Sequence, residues 1–519
     1  MTPTSPTNIF WLLLLLGFWV FYGLTGRDAW RAEEALALAP ILDWLAGQVS
    51  VWATPAPLYT LFAGIAVKLQ LAGGDVQDGA RLASGLFTGI ALLFTSFAAR
   101  ALYGPGFGSA AAIALVGGFG LMLRAHALLP ETALLAAWAI LLYGVTAARR
   151  QPLGGALAIG FGLALLMLGL RGLPDLLAGL AILLVPLLFP GQRDAAQRQT
   201  VWRGLLLAAG LIGLGLVYLW TADLLHAWWS LHGVSRSIST PARAFSELPW
   251  FAWPLWPLAL AAIWHAHRRL PRATELHVPL FAVVVLLGAA LVPAWSRDGA
   301  LLPVLLPLAL LSAYALENLR RGAAQAFYWF GALFFTVLVF ALWVYFSAIE
   351  WAYPVKLASH MARLTPNYSA GAVDTFSLLL AVVATLIWLV AIPLFPRAKK
   401  RPILVWATGM ILLWTLLVAL YRPWIEAGWA YRPLIVDMAR HLPDDACLNT
   451  RVDPAMRTML GLHLKRASER ADCPWNLVQT LRSAEKTEVT PGYSVVWEGF
   501  RPRYKSQIYR LERENAGAD

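Results

Sequence analysis

Residues 9–48 read IFWLLLLLGFWVFYGLTGRDAWRAEEALALAPILDWLAGQ, and the fold turns on this stretch. Positions 9–25 carry no charge and come close to the roughly 20 mostly apolar residues that a helix needs to cross a bilayer. The chain then turns polar at once, with Arg27, Asp28, Arg31, Glu33 and Glu34 inside eight residues, before it becomes apolar again. A span followed directly by a carboxylate-bearing loop places ionisable chemistry at a membrane edge. The leader MTPTSPTN has no basic side chain and no small-residue cleavage site follows, so the first span is expected to remain rather than be removed as a signal peptide.

The whole chain shares this character. Of 519 residues, 59% are hydrophobic and 13% are charged, and mean hydropathy is +0.62. A soluble domain carries about 25% charged residues. This composition excludes a soluble enzyme and a disordered chain, and two cysteines exclude a disulfide-dense scaffold. The net charge of +12 reads as the basic bias of cytoplasmic loops rather than as a nucleic-acid surface.

Working outward, about thirteen stretches qualify as spans: 9–25, 79–100, 106–123, 129–147, 153–170, 173–189, 203–220, 248–266, 276–295, 299–317, 325–347, 372–396 and 403–421. Basic residues gather in alternate connections: Arg149 and Arg150, then Arg193, Arg198 and Arg203, then Arg268, Arg269 and Arg272, then Arg320 and Arg321, then Arg397, Lys399, Lys400 and Arg401. With a cytoplasmic N-terminus these all fall inside, and an odd span count puts the C-terminus in the periplasm. The long segments 26–78, 221–247 and 348–371 fall on the outer side. Two domains are expected: a membrane domain over 1–421, with its large first periplasmic loop at 26–78, and a polar periplasmic module over 422–519. In the module, a helix near 454–464 and the strand-like runs SVVW and QIYRL predict a small α/β unit. Cys447 and Cys473 both lie in it, and an oxidising compartment predicts a disulfide between them. The fold class is therefore an all-α polytopic membrane protein with a small α/β periplasmic C-terminal domain. The chain has no internal repeat, Walker A lysine motif, dinucleotide fingerprint or CxxC.

Ionisable groups at the outer edge are the candidate site residues, because charge at that depth is costly unless it is used. Glu33 and Glu34 open an amphipathic helix after Trp30. They point about 100° apart, so one of the two can face a given pocket. The competing reading is acidic residues complementing a helix dipole. WATPAPLYTLFAGIAVKLQLA (52–72) is short for a span and reads as an interfacial or re-entrant helix. Arg81 opens the second span. RAHALLPETALLA (124–136) brings Arg124, His126 and Glu131 together, Glu131 doubling as a first-turn acid. Arg171 and Arg297 lie at the same edge, where guanidinium suits an anionic lipid headgroup through paired hydrogen bonds. His232 reads as a structural loop histidine.

On these residues the sequence resembles the GT-C membrane glycosyltransferases, specifically the aminoarabinose–lipid A transferases and protein O-mannosyltransferases. The resemblance runs through RDAWRAEEA (27–35), APLYTLFAG (56–64), ARLASGLF (80–87), ARALYGPGFGSAAAIAL (99–115), RAHALLPETALLA, ELPWFAWPLWPLAL (247–260) and SRDGALLPVLLPLALL (296–311). Order and spacing carry it rather than any single motif. The family's Asp-Glu pair falls on Glu33 and Glu34, its next outer acid on Glu131, and two of its lysines on Arg171 and Arg297. A third lysine is replaced by Pro55.

The resemblance implies sugar transfer from a polyprenyl-phosphate-linked donor at the periplasmic face of the inner membrane, to lipid A, a glycan or a protein. Glu33 is then the base, Glu34 and Glu131 are supporting carboxylates, and Arg81, Arg124, Arg171 and Arg297 lie on the phosphate side. The lipid-linked donor needs no nucleotide site. The sequence decides neither a divalent metal, nor the sugar, nor the oligomeric state. The rival classes are a lipid or solute transporter, which predicts broken helices with polar groups at mid-membrane, and a non-catalytic envelope assembly protein.

Overall fold

The structure, a computed structural model, describes residues 6–169, 172–185, 194–232, 241–291, 301–395, 398–444, 446–464, 467–468, 473–481 and 490–515. The chain forms two compact units. The first holds Met1–Thr25, Pro40–Val337 and Thr385–Trp414, and the second holds Gly26–Ala39, Leu338–Ala384 and Thr415–Asp519.

Every apolar stretch that reads as a span holds helix. In chain order these are Pro6–Phe21, Val76–Tyr103, Phe107–Val116 with Phe119–Ala125, Glu131–Ala147, Pro152–Leu168, Leu173–Ile182, Ala195–Thr221, Leu255–Ala266, Thr274–Leu291, Leu305–Asn318, Arg321–Glu350, Thr375–Leu394 and Arg401–Trp429. Among the described residues, five helices are long and apolar enough to cross a membrane, or six if one bent pair counts as a single span. The others are shorter apolar helices, and proline accounts for one of them. Residues 248–266 are interrupted at Pro254, which has no N–H to continue a helix, so Pro241–Phe251 and Leu255–Ala266 form separately.

Residues 106–123 are not the straight span expected. Phe107–Val116 and Phe119–Ala125 meet at 72°. The break falls on Gly117 and Gly118, where the Trp406 indole donates to the Gly117 carbonyl at 2.8 Å and the Phe119 N–H donates to the Trp253 carbonyl at 3.1 Å. Backbone groups released by the bend are thereby paired, as a low-dielectric interior demands. Glycine also sets the helix spacing. A Cβ on Gly144 would lie 2.7 Å from the Ile159 backbone nitrogen, and one on Gly204 would lie 2.7 Å from Ile159 Cβ. Small residues at such crossings let helices approach closely where no hydrophobic force drives them together.

Within the first unit, the basic connections are tied to one another. Arg149 pairs with Asp194 at 3.2 Å, and Lys399 with Glu317 at 2.8 Å. Lys400 donates to the Gly106 carbonyl at 2.6 Å and to Ser109 Oγ at 2.8 Å. Arg269 donates to the Tyr314 hydroxyl. Ala32–Leu45 and Pro57–Lys68 are the two helices expected in the first loop.

In the second unit, the tail folds into a five-stranded sheet in the order β2-β1-β3-β5-β4. The strands are β1 (Leu448–Arg451), β2 (Ala467–Ser468), β3 (Trp475–Leu481), β4 (Tyr493–Gly499) and β5 (Gln507–Glu514). β1 runs parallel to β2 and β3, whereas β5 is antiparallel to β3 and β4. The parallel half needs a crossover, and the Pro454–Leu464 helix supplies it between β1 and β2. Asp453 caps that helix through the Met456 N–H at 2.9 Å and accepts the Tyr509 hydroxyl at 3.1 Å.

Cys447 and Cys473 form a disulfide with a Cα–Cα distance of 5.2 Å across 26 positions. It staples the approach to β1 against the approach to β3. Replacing both cysteines with serine in the full chain should remove about 3–4 kcal/mol in the chain-entropy account. Hydrogen exchange of the strand amides in residues 448–514 checks this, and unchanged protection would show that the staple adds nothing.

Candidate active site

The loop that follows the first helix builds the polar part of the second unit. Gly26 has φ +76°, a backbone conformation that calls for glycine. Arg27 then turns back onto the helix start. Its guanidinium makes a two-pronged ion pair with Glu34, at 2.8 and 3.1 Å, and lies over the Trp30 ring at 4.4 Å. Glu34 also accepts the Trp30 N–H at 3.0 Å. Both side chains of the pair are only 3% exposed.

Asp28 is buried between segments far apart in sequence. Its Oδ2 accepts the Tyr431 and Arg432 N–H groups at 2.9 and 2.8 Å. Its Oδ1 has His463 Nε2 at 3.4 Å, and its own N–H donates to Glu426 at 3.2 Å. Nearby, Arg501 is sandwiched between the Tyr431 and Tyr504 rings at 3.9 and 4.0 Å and donates to the Trp429 carbonyl at 3.2 Å. Burial pushes the Tyr431 phenol up to about 12, with the Arg501 charge opposing it.

Glu33 stands next to the sealed Glu34 but about 100° round the helix. It is half-buried.

The remaining candidates lie in the first unit. Arg81 is fully buried. It donates to the Leu24 carbonyl at 2.8 Å and pairs with Asp78 at 2.9 Å. Its guanidinium is therefore committed inside the chain, where it fixes the end of the first span, rather than presented to a donor phosphate. Ser84, one turn on, bonds the Tyr59 hydroxyl at 2.8 Å, the Ala127 carbonyl at 2.7 Å and the Leu129 N–H at 3.5 Å. This brings the start of the Glu131–Ala147 helix against the Val76–Tyr103 helix.

Glu131 is half-buried in that first turn, and Arg124 is half-buried in the last turn of Phe119–Ala125. His126 is a structural pin, its ring nitrogens 2.6 Å from the Trp19 carbonyl and 3.0 Å from the Met122 carbonyl. His232 is buried, stacks on Trp228, and faces the Trp228 carbonyl at 2.9 Å. Burial pushes its pKa down against the pull of its carbonyl partners. Arg171 and Arg297 lie outside the described residues. Among the described residues, no cluster of three or more His, Cys, Asp or Glu is placed to hold a metal.

Sequence reasoning passed over Asp28, Asp78, Glu426 and His463. Glu426 had a usable signal, being an acid just beyond the last apolar stretch. Asp78 sits three residues before Arg81, the spacing of a helical ion pair. Asp28 and His463 are 435 positions apart, and nothing local links them.

The fold has been seen in solved structures. ArnT from Cupriavidus metallidurans in the apo state matches with a TM-score of 0.64 at 14% identity. The match covers 97% of this chain and 98% of that one. The same enzyme bound to undecaprenyl phosphate matches with a TM-score of 0.63 at 14% identity, over 98% of both chains. At this identity the likeness shows a shared fold. No family model matches the sequence, and no curated protein matches it.

Proposed function

We propose that this chain of GT-C fold is a membrane glycosyltransferase. It moves a sugar from a polyprenyl-phosphate donor to a lipid A, glycan or protein acceptor. The observation that supports this reading most is the likeness over 98% of both chains to an ArnT that binds undecaprenyl phosphate. The membrane domain spans 1–421, residues 422–519 form a periplasmic module, and transfer occurs at the periplasmic face of the inner membrane. A periplasmic reporter fused at Asp519 should be active and a cytoplasmic one silent. The reverse pattern would overturn the thirteen-span topology.

The chemistry is a single in-line displacement. The acceptor hydroxyl attacks the anomeric carbon, Glu33 takes its proton, and the bond to the lipid phosphate breaks with inversion. A positioned base contributes about 10²–10⁴-fold. The leaving phosphate is already a stable anion, and cations aimed at it supply most of the rest. Arg124, Arg171 and Arg297 fill that role. Glu131 supports the acceptor side, while Glu34 and Arg81 hold the loop and the first span in place. Arg171→Ala and Arg297→Ala should raise the donor concentration needed for half-maximal rate, since a phosphate partner is lost from ground and transition states alike.

The decisive experiment compares envelope lipids and glycoproteins, by mass spectrometry, from cells with and without the protein. A sugar mass present only with the protein supports the reading, and identical profiles in cells that express it overturn it. The bent span at Phe107–Ala125 does not favour a transporter. Its break at Gly117 and Gly118 is filled by the Trp406 indole rather than by ion-coordinating groups.

A further inference from the structure

A cavity of about 540 Å³ lies between the Pro6–Phe21 and Val76–Tyr103 helices. This is within the roughly 300–1,000 Å³ typical of ligand sites. Most of its wall is hydrocarbon, from residues such as Leu12, Leu16, Val20 and Leu92. Gly17 and Gly89 also line it, and at neither would an added Cβ meet any atom within 4 Å. The slot exists because these two positions carry no side chain.

Where the Val76–Tyr103 helix ends, the wall turns polar and basic, with Ser96, Arg100 and Ser109. Gly108 makes room there, since a Cβ on it would lie 2.6 Å from Ser96 Oγ and 2.8 Å from Arg100 Cγ. Lys400 reaches the same place, its ammonium 2.8 Å from Ser109 Oγ and 2.6 Å from the Gly106 carbonyl, which leaves one of its three N–H groups to spare. The acid near Lys400, Glu317, is already held by Lys399 at 2.8 Å. Among the described residues, the Arg100 guanidinium has neither a hydrogen bond nor an ion pair, while the residue's backbone carbonyl accepts the Gly104 N–H at 3.0 Å.

Two cations thus stand at the polar mouth of a hydrocarbon slot, with one nearby carboxylate, Glu317, already paired with Lys399. A neutral or zwitterionic amphiphile would leave that charge uncompensated. An amphiphile with a net negative phosphate headgroup satisfies both ends, because guanidinium binds phosphate through paired hydrogen bonds and basic pockets between spanning helices recognise anionic lipid headgroups. We propose that this cavity binds an anionic glycerophospholipid, one acyl chain lying along Gly17 and Gly89 and the phosphate held by Arg100 and Lys400. In the proposed topology the headgroup lies in the cytoplasmic leaflet, opposite the transfer site. The lipid is thus a second ligand, distinct from the sugar donor.

The test counts lipids retained by the full-length protein in native mass spectrometry, after exchange into micelles doped with phosphatidylglycerol or phosphatidylethanolamine. The wild type should retain phosphatidylglycerol in preference. The Arg100→Gln/Lys400→Gln double variant should lose about tenfold or more of that retention, since both charge-assisted contacts are gone. Gly89→Leu should abolish retention by filling the slot, and leucine is the better helix former, so thermal stability should hold. Equal retention of the two lipids would overturn the proposal. So would undiminished phosphatidylglycerol retention in the double variant or in a folded Gly89→Leu chain.

Discussion

Glu33→Gln should turn over at least about 10²-fold more slowly than the wild-type chain, while its donor affinity should stay within a few-fold. Glutamine keeps the size and most of the hydrogen bonding of glutamate but cannot take a proton. The Arg27 ion pair that anchors the loop is made with Glu34, at 2.8 Å, so the exchange leaves that pair in place. The lost interaction belongs to the transition state, so kcat falls and KM does not. The measurement is sugar transfer from a polyprenyl-phosphate donor in nanodiscs, with donor binding followed separately. Near-wild-type turnover in Glu33→Gln would show the base assignment to be wrong. It would then pass to Asp28 rather than to Glu34, because Glu34 is sealed against Arg27 at 2.8 Å. Asp28→Asn in the same assay would decide that case, since asparagine can still accept the Tyr431 and Arg432 amides through its one oxygen.

The helices were legible because hydrocarbon length is a one-dimensional property, read from runs such as 9–25 and 403–421 without knowing their neighbours. Their interruptions were less so. The bend at Gly117–Gly118 depends on Trp406, 289 positions away, and a hydropathy window sees only an unbroken apolar run. In the tail, SVVW and QIYRL were readable as β4 and β5 because they carry β-branched and aromatic residues. β1, LNTR, was not, because its four residues gain their strand state from pairing with β2 and β3.

The acids followed the same division. That 27–34 is chemically dense is visible in the letters, but how the charges are shared is not. Glu33 and Glu34 are adjacent and of one kind, and the choice between them was made by Arg27 folding back seven residues. Arg81 looked like a phosphate ligand by its depth and charge. Its partners, the Leu24 carbonyl and Asp78, show that depth alone does not distinguish a ligand from an internal brace.

The Arg27–Glu34 pair should show strong coupling in a double-mutant cycle. Both side chains are 3% exposed, so either charge left alone would be stranded where water cannot reach it. Removing one member of such a pair costs about 3–5 kcal/mol, whereas replacing both with apolar groups of similar volume is often near neutral. Arg27→Met and Glu34→Leu should each sharply raise hydrogen exchange in residues 27–36 and lower the thermal inactivation midpoint. The double variant should be more stable than either single one, short of wild type by the acceptor that the Trp30 N–H loses, about 1–3 kcal/mol. Turnover should follow the same order, because Glu33 rides on the helix turn that this pair holds. Costs that simply add would mean that the two residues do not act as a pair, and the orientation of Glu33 would need another explanation.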